Sequence, residues 1–142
     1  MRILIVEDEM IAALDLQSTL EQAGHSVVGP AMTTAEALVL IEYDCPDLAL
    51  VNINLKDGQG AGIELARILL ERCEVPSLFI SGQIHEAREN RDAALGYLGK
   101  PWRPKTLLAS IEVADRIIHG KKADPVPSGL ELFKDKEQRA SD

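Results

Sequence analysis

The chain lacks long apolar runs. Its 142 residues contain no uninterrupted apolar stretch of the roughly 20 residues that a membrane-spanning helix needs, and no signal-peptide pattern opens the chain. We therefore expect a soluble, cytoplasmic protein that does not associate with membranes. Apolar residues make up 46% of the chain, which is enough to bury a sizeable core in one ordinary domain.

Positive charge is also scarce. The formal net charge is −8, which argues against non-specific binding to nucleic acid, because such binding needs a basic surface. From Lys121 to the end the chain holds five basic and five acidic residues, so the negative excess belongs to residues 1–120. We expect no nucleic-acid partner.

Cysteine is limited to Cys45 and Cys73. Two residues are too few for a disulfide scaffold, and they lack the spacing of a zinc site. Because free cysteine usually behaves as a small buried hydrophobe, we expect both to be packing thiols.

Short apolar runs alternate with helical patterns along residues 1–120. The runs expected as strands are 3–6, 26–29, 48–51, 77–80 and 96–99. Between them, apolar residues recur at spacings of three and four, as on one face of a helix. Thr33 and Glu36 match a capping box for the second helix, and Pro104 suits the first turn of the last. Five such rounds predict an α/β fold with a doubly wound parallel sheet.

Residues 121–142 differ in composition from the preceding residues. We therefore place a domain at 1–120 and a linker and tail at 121–142. KKADPVPSG contains two prolines and is typical of a linker. A small apolar cluster of Leu130, Leu132 and Phe133 follows, before a charged end. We favour a flexible tail, and the alternative is that this cluster docks on the domain or on a partner.

The stretch LALVNINLKDG, residues 48–58, carries the clearest functional signal. Four apolar residues run into Asn52 and a turn follows, as in a strand buried on both faces of a parallel sheet. Asn52 is therefore expected at the carboxyl edge of the sheet, where open α/β proteins place their sites. Other predicted strands end in matching groups, which are Glu7 with Asp8, Ser81, and Lys100.

Phosphoryl transfer to a carboxylate needs such a set. Adjacent carboxylates hold Mg²⁺, a cation such as Lys100 balances developing charge, and a hydroxyl such as Ser81 binds a phosphoryl oxygen. Each feature alone has an ordinary explanation as a helix-dipole partner, a turn or a solvated loop. Their coincidence at successive strand ends favours a site. The expected acceptor would be aspartate, and here it is Asn52.

These motifs resemble the receiver domain of bacterial response regulators over residues 1 to about 120. The matching segments are ILIVEDE, LALVNINLKDG, FISG and GYLGKPW. The resemblance implies a flavodoxin-like receiver fold with a five-stranded parallel sheet of strand order 2-1-3-4-5. It also implies a signalling surface that includes the fourth helix. In this chain that helix, near residues 84–94, is strongly polar and is expected to be short or irregular.

The resemblance also assigns roles to single positions. By position, Glu7 and Asp8 would bind Mg²⁺ together with Asn52 and the backbone carbonyl of Asn54. Ser81 and Lys100 would bind the phosphoryl group. Tyr97 would be the switch residue, whose ring moves inward on activation.

Two positions depart from the family pattern. Asn52 stands where the phosphorylated aspartate is expected, and a neutral amide cannot form an acyl phosphate. It also removes one negative charge from the metal site, so Mg²⁺ binding should be weakened. Lys56 replaces a usual proline in the following loop. Two origins fit Asn52: a substitution introduced into an ordinary receiver, or a natural receiver that signals without phosphate.

The sequence therefore predicts a stand-alone receiver, not an enzyme, in a non-phosphorylatable form. Its expected partners are a histidine kinase or histidine phosphotransfer protein and a downstream protein, with a homodimer as a further candidate. The alternative is a pseudo-receiver that acts as a phosphorylation-independent interaction module. An aspartyl phosphatase would need Asp-x-Asp after the first strand, where this chain has Glu7-Asp8-Glu9. A flavin-binding protein would need a phosphate loop there, which the acidic pair would repel.

Overall fold

The computed structural model describes residues 1–133, and residues 134–142 lie outside the described part. Strands and helices alternate along the chain before a final strand. The elements are β1 (Arg2–Val6), α1 (Met10–Gln22), β2 (Ser26–Ala31), α2 (Thr34–Tyr43), β3 (Leu48–Val51), α3 (Ala61–Cys73), β4 (Ser77–Ser81), α4 (Ile84–Glu89), β5 (Gly96–Gly99), α5 (Pro104–Ile118) and β6 (Leu130–Leu132).

The first five strands of the sheet follow the predicted order, and a sixth strand is added to it. Its strands run β2-β1-β3-β4-β5-β6, and the first five are parallel. β6 pairs antiparallel with β5, so the prediction of a five-stranded sheet is wrong in number. The sixth strand lies within the segment that we expected to be a linker and tail. It forms where Leu130, Glu131 and Leu132 return to the open edge of β5.

The core lies on both faces of this sheet. Leu48 and Leu50 of β3 pack on one face with α1 and α5, whereas Ala49 and Val51 pack on the other with α2, α3 and α4. All four side chains are buried, as expected for a parallel strand covered on both sides. Each large side chain buried in this way contributes about 1.5–3 kcal/mol to stability.

Local signals place the helix ends. Thr33 Oγ1 accepts a hydrogen bond from Glu36 N at 3.2 Å, which confirms the predicted cap of α2. Pro104 lies in the first turn of α5, as predicted. α4 has only six residues and is followed by a 3-10 turn at Arg91–Ala93. The short, irregular form expected for this helix is confirmed.

The prediction of two free packing thiols is wrong, because Cys45 and Cys73 form a disulfide. Their Cα atoms lie 5.9 Å apart although the residues are separated by 28 positions. Packing of the α2–β3 connection against the end of α3 brings the sulfurs together. Such a pairing is a tertiary contact that spacing along the chain does not indicate.

No helix in residues 1–133 combines the length and apolar character needed to cross a membrane.

Candidate functional site

Backbone hydrogen bonds align the strand ends that carry the site. Asn52 N donates to Val6 O at 2.9 Å, which places the end of β3 beside the residues that follow β1. On the other side, Lys100 N donates to Ser81 O at 3.1 Å, which joins the ends of β5 and β4. The predicted site residues therefore meet at the carboxyl edge of the sheet, because parallel strands end on the same side.

Glu7 and Lys100 form the most buried ion pair of the described residues. Lys100 Nζ donates to Glu7 Oε1 at 2.8 Å, and the side chain of Glu7 is 2% exposed against 28% for Lys100. Burial raises the pKa of the Glu7 carboxyl, although Lys100 opposes this shift by its hydrogen bond and its charge. The pair connects the residue that follows β1 with the residue that follows β5, which are the first and the last of the predicted site residues.

Asn52 holds the second acidic residue through its side-chain amide. Asn52 Nδ2 donates to Asp8 Oδ1 at 3.3 Å and to the backbone carbonyl of Asn54 at 3.0 Å. Asp8 and the Asn54 carbonyl are two of the groups expected to hold Mg²⁺. The amide NH₂ therefore bridges two oxygens that the cation would use, and it brings partial positive charge to the same place.

The loop after β3 is tightly packed around Asn52. Asn54 Oδ1 accepts from Gly60 N at 2.9 Å, and Gly62 N donates to Ile53 O at 2.8 Å. A Cβ on Gly62 would lie 1.9 Å from Asn52 O, so no other residue fits at position 62 without moving the backbone. The start of α3 is thereby held against Asn52.

Ser81 and Tyr97 lie on β4 and β5 with different surroundings. Ser81 is buried, and its Oγ accepts from Gln83 N at 2.9 Å, which closes the turn into α4. Tyr97 is 8% exposed, and its hydroxyl lies 3.3 Å from where a Cβ on Gly99 would stand. Burial raises the pKa of this phenol. The ring is therefore already largely inside the protein.

Residues 3–112 match the family model described as the response regulator receiver domain. The chain belongs to this family. The phyllosphere-induced regulator PhyR of Methylorubrum extorquens is 36% identical over 114 residues, which cover 79% of this chain and 42% of that protein. The transcriptional regulatory protein PdtaR of Mycobacterium tuberculosis is 34% identical over 116 residues, which cover 80% and 56%. This chain thus spans about half the length of the curated relatives it matches.

Solved structures show the same fold. The signal receiver domain of a modulated diguanylate cyclase from Desulfovibrio desulfuricans superposes with a TM-score of 0.73 at 36% identity, covering 84% of this chain and 94% of that one. The receiver fold expected from the motifs is therefore confirmed for the parallel part of the sheet.

The donor set of this receiver suits Mg²⁺ in kind, since it offers carboxylate, carbonyl and amide oxygens. Two features oppose the ion. Glu7 is engaged by Lys100, and Asn52 turns its NH₂ toward Asp8. Among residues 1–133, no group of three or more histidine, cysteine or acidic side chains is arranged to hold a metal. The metal site therefore stays a prediction, and the ion would need the Asn52 amide to turn its oxygen inward.

Sequence reasoning missed two features of this site. It did not foresee that Lys100 pairs with Glu7, because the partners are 93 residues apart. It also gave no role to Gly62, whose contact with Asn52 depends on how α3 meets β3. The only sequence signal for the second feature was a glycine inside the first turn of a predicted helix, where glycine is otherwise unfavourable.

Proposed function

We propose that this receiver is a response regulator of two-component phosphorelay signalling in a form that does not accept a phosphoryl group, and that its output is protein–protein contact. A histidine kinase or histidine phosphotransfer protein would dock at the carboxyl edge of the sheet. A downstream protein would bind the folded receiver by direct contact. The protein would act in the cytoplasm, where such partners present their phosphohistidine.

The observation that carries this proposal is the amide of Asn52. It lies at the end of β3, where the family has its acceptor, and it donates to Asp8 and to the Asn54 carbonyl. The side chain of Asn52 is a neutral amide, so it has no anionic oxygen with which to attack phosphorus. Two carboxylates therefore face one ammonium and one neutral amide, so one negative charge of the site has no charged partner without an ion.

The remaining groups support a site that lacks only its acceptor. Glu7, Asp8 and the Asn54 carbonyl would hold Mg²⁺, and this ion would neutralise charge on an incoming phosphoryl group. Ser81 and Lys100 would bind phosphoryl oxygens once Lys100 leaves Glu7. Tyr97 would report the change from its place on β5.

A second candidate is a pseudo-receiver that acts as an interaction module without phosphate. The bridging amide of Asn52 favours this reading, because it satisfies Asp8 and Asn54 in the absence of metal and phosphate. In that case the fold is kept for its surfaces and the site is a structural remnant.

Intact-mass spectrometry with acetyl phosphate separates the two functions. We expect no added phosphoryl group on the Asn52 protein, and one group on Asn52→Asp that depends on Mg²⁺. The matched control is Asn52→Asp with Lys100→Ala, which should gain the phosphoryl group poorly. If Asn52→Asp gains no phosphoryl group and binds no beryllofluoride in Mg²⁺, the interaction module is the better function.

A further inference from the structure

The edge of β5 is covered by a segment of the chain's own C-terminal part. Gly96, Tyr97 and Leu98 pair with Leu132, Glu131 and Leu130. Two flanking bonds extend the pairing: Gly99 N donates to Gly129 O at 3.3 Å, and Phe133 N donates to Leu95 O at 2.8 Å. We call residues 129–133 the strap. It satisfies the outward backbone groups of β5, which would otherwise form an open edge.

The edge is shaped for a closely approaching backbone. A Cβ on Gly96 would lie 2.4 Å from Glu131 O and 3.2 Å from the Cα of Leu132. Glycine is therefore required at position 96 only while an extended segment lies against it. Glycine otherwise weakens a strand, so its presence here marks a place where another backbone approaches.

The side chains of the strap define a recognition pattern. Leu130 is 7% exposed and packs with the α1 and α5 face of the core, where Leu132 joins it. Phe133 packs against the cluster on the opposite face. Glu131 accepts two hydrogen bonds from Arg88 of α4, at 2.9 Å from Nε and 2.7 Å from Nη2. The edge thus favours an extended segment in which an apolar, an acidic, an apolar and an aromatic residue follow one another.

The strap is short, and the connection before it is tied to α5 by Arg116 Nη2, which donates to Ala123 O at 2.8 Å and to Pro125 O at 3.1 Å. β6 has three residues, two of them only partly buried, and the connection at residues 121–129 has no helix or strand. The Arg88 and Glu131 side chains are 43% and 37% exposed, and ion pairs so exposed contribute little to stability. A segment with the same pattern and more contacts would therefore displace it.

Space for such contacts lies beside the end of β6. In the described part of the chain, a cleft of about 980 Å³ runs between α3, the turn after α4 and the end of α5. Its walls include the apolar Leu70 and Ile117 and the basic Arg91 and Lys121. The buried Ser77 Oγ at this cleft has no hydrogen-bond partner among the described residues. A partner segment longer than the strap would reach the exposed side chains of this cleft, but not the buried Ser77 Oγ.

We propose that the β5 edge, with Arg88, is a docking site for an extended segment of a partner protein with an apolar–acidic–apolar–aromatic sequence, and that the strap occupies this site in cis. The inference rests on the output by protein contact proposed above, but its test leaves position 52 unchanged. Binding by strand addition takes its affinity from main-chain hydrogen bonds and its specificity from alternate side chains, which the β5 edge and Arg88 supply.

The test is a charge swap in the full chain, read by fluorescence anisotropy with two labelled peptides, PSGLELFK and PSGLRLFK. Glu131→Arg should bind the acidic peptide about tenfold more tightly than the unmodified chain, because the strap competes at high effective concentration in the latter. Arg88→Glu should prefer the basic peptide. The double variant restores the cis pair with reversed charges and should bind both peptides weakly.

Leu130→Ser/Leu132→Ser removes the apolar contacts of the strap, leaves the β5 edge intact, and should also bind the acidic peptide more tightly. Circular dichroism confirms that each variant is folded. The proposal is overturned if neither opened variant binds better than the unmodified chain, or if the two peptides bind equally. A stable dimer of the unmodified chain in sedimentation equilibrium, lost in Glu131→Arg, would assign the edge to a second copy and also overturn it.

Discussion

The carboxyl edge of the sheet and the lateral edge of β5 are closed in different ways. At the carboxyl edge, buried Glu7 pairs with Lys100, and Asn52 bridges Asp8 and Asn54. At the lateral edge, the three-residue β6 is held by the buried Leu130, the half-buried Leu132 and an exposed ion pair. The first edge is therefore part of the folded core, whereas we expect the second edge to be a cover that can detach while the core stays folded.

Removing Lys100 should have the largest effect on the carboxyl edge. Lys100→Met leaves Glu7 buried without its partner, which should cost about 3 kcal/mol of unfolding free energy at pH 8. Lys100 lowers the pKa of Glu7 against burial, so its loss raises that pKa further. A carboxyl whose pKa is raised by folding favours the fold at low pH and loses this contribution as pH rises through the folded value.

Urea unfolding at pH 5 and pH 8 checks this expectation. Lys100→Met should lose much more stability at pH 8 than at pH 5. Glu7→Gln/Lys100→Met is the control and should show no such dependence. Equal losses at both pH values would mean that the pair is not buried as described.

A matched pair of glycine substitutions measures how differently the two edges of the sheet tolerate an added Cβ. Gly62→Ala forces a Cβ against the backbone of Asn52 inside the core and should cost about 2 kcal/mol. Gly96→Ala forces a Cβ against the backbone of Glu131, but β6 can leave, so the cost should be at most about 1 kcal/mol.

Limited proteolysis near Pro125 separates the two variants. Gly96→Ala should be cut there much faster than the unmodified chain, because β6 no longer holds the connection. Gly62→Ala should be cut at the unmodified rate under conditions where it stays folded. Similar melting curves and similar cutting for both would show that the two edges do not differ in this way.

A smaller effect is expected from pH at the lateral edge. The hydrogen bond from Arg88 lowers the pKa of Glu131 below its usual 4.5. A lowered carboxyl pKa contributes stability above the unfolded value and loses it as pH falls through the folded value. The charges of Arg88 and Arg91 also lower the pKa of Glu131, and partial burial opposes them.

Amide hydrogen exchange of Phe133, whose N donates to Leu95 O at 2.8 Å across the β5 edge, reports this change when it is measured by NMR. Exchange should accelerate relative to the intrinsic rate as pH falls below 4.5, since the detached Glu131 then takes up a proton more readily than the paired Glu131, whose pKa is lowered. Glu131→Gln should show fast exchange at every pH and no step. A step of the same size in this control would exclude Glu131 as its source.

The sequence predicted the elements whose signals are local. The alternation of strands and helices, the cap at Thr33 and the set of polar strand ends all follow from patterns a few residues long. β6 could not be predicted, because its partner strand is over 30 residues away and Leu130 to Phe133 resemble a loose apolar cluster. The disulfide and the Glu7–Lys100 pair were missed for the same reason.

The chemistry at position 52 was predicted only in part. The sequence shows that Asn52 has no anionic oxygen to offer. It does not show that the amide nitrogen donates to both Asp8 and the Asn54 carbonyl, because this depends on how the loop after β3 folds back. The domain boundary at residue 120, the roles of the site residues and the structure of residues 134–142 stay predictions.

Mg²⁺ titration tests whether the Asn52 amide takes the place that the cation would occupy. Affinity is measured by calorimetry or Trp102 fluorescence for the unmodified chain and for Asn52→Asp. We expect weaker binding to the unmodified chain, because the ion must displace the Asn52 hydrogen bonds and gains no anionic oxygen in return. Equal or tighter Mg²⁺ binding to the Asn52 protein would show that the amide does not take the place of the cation.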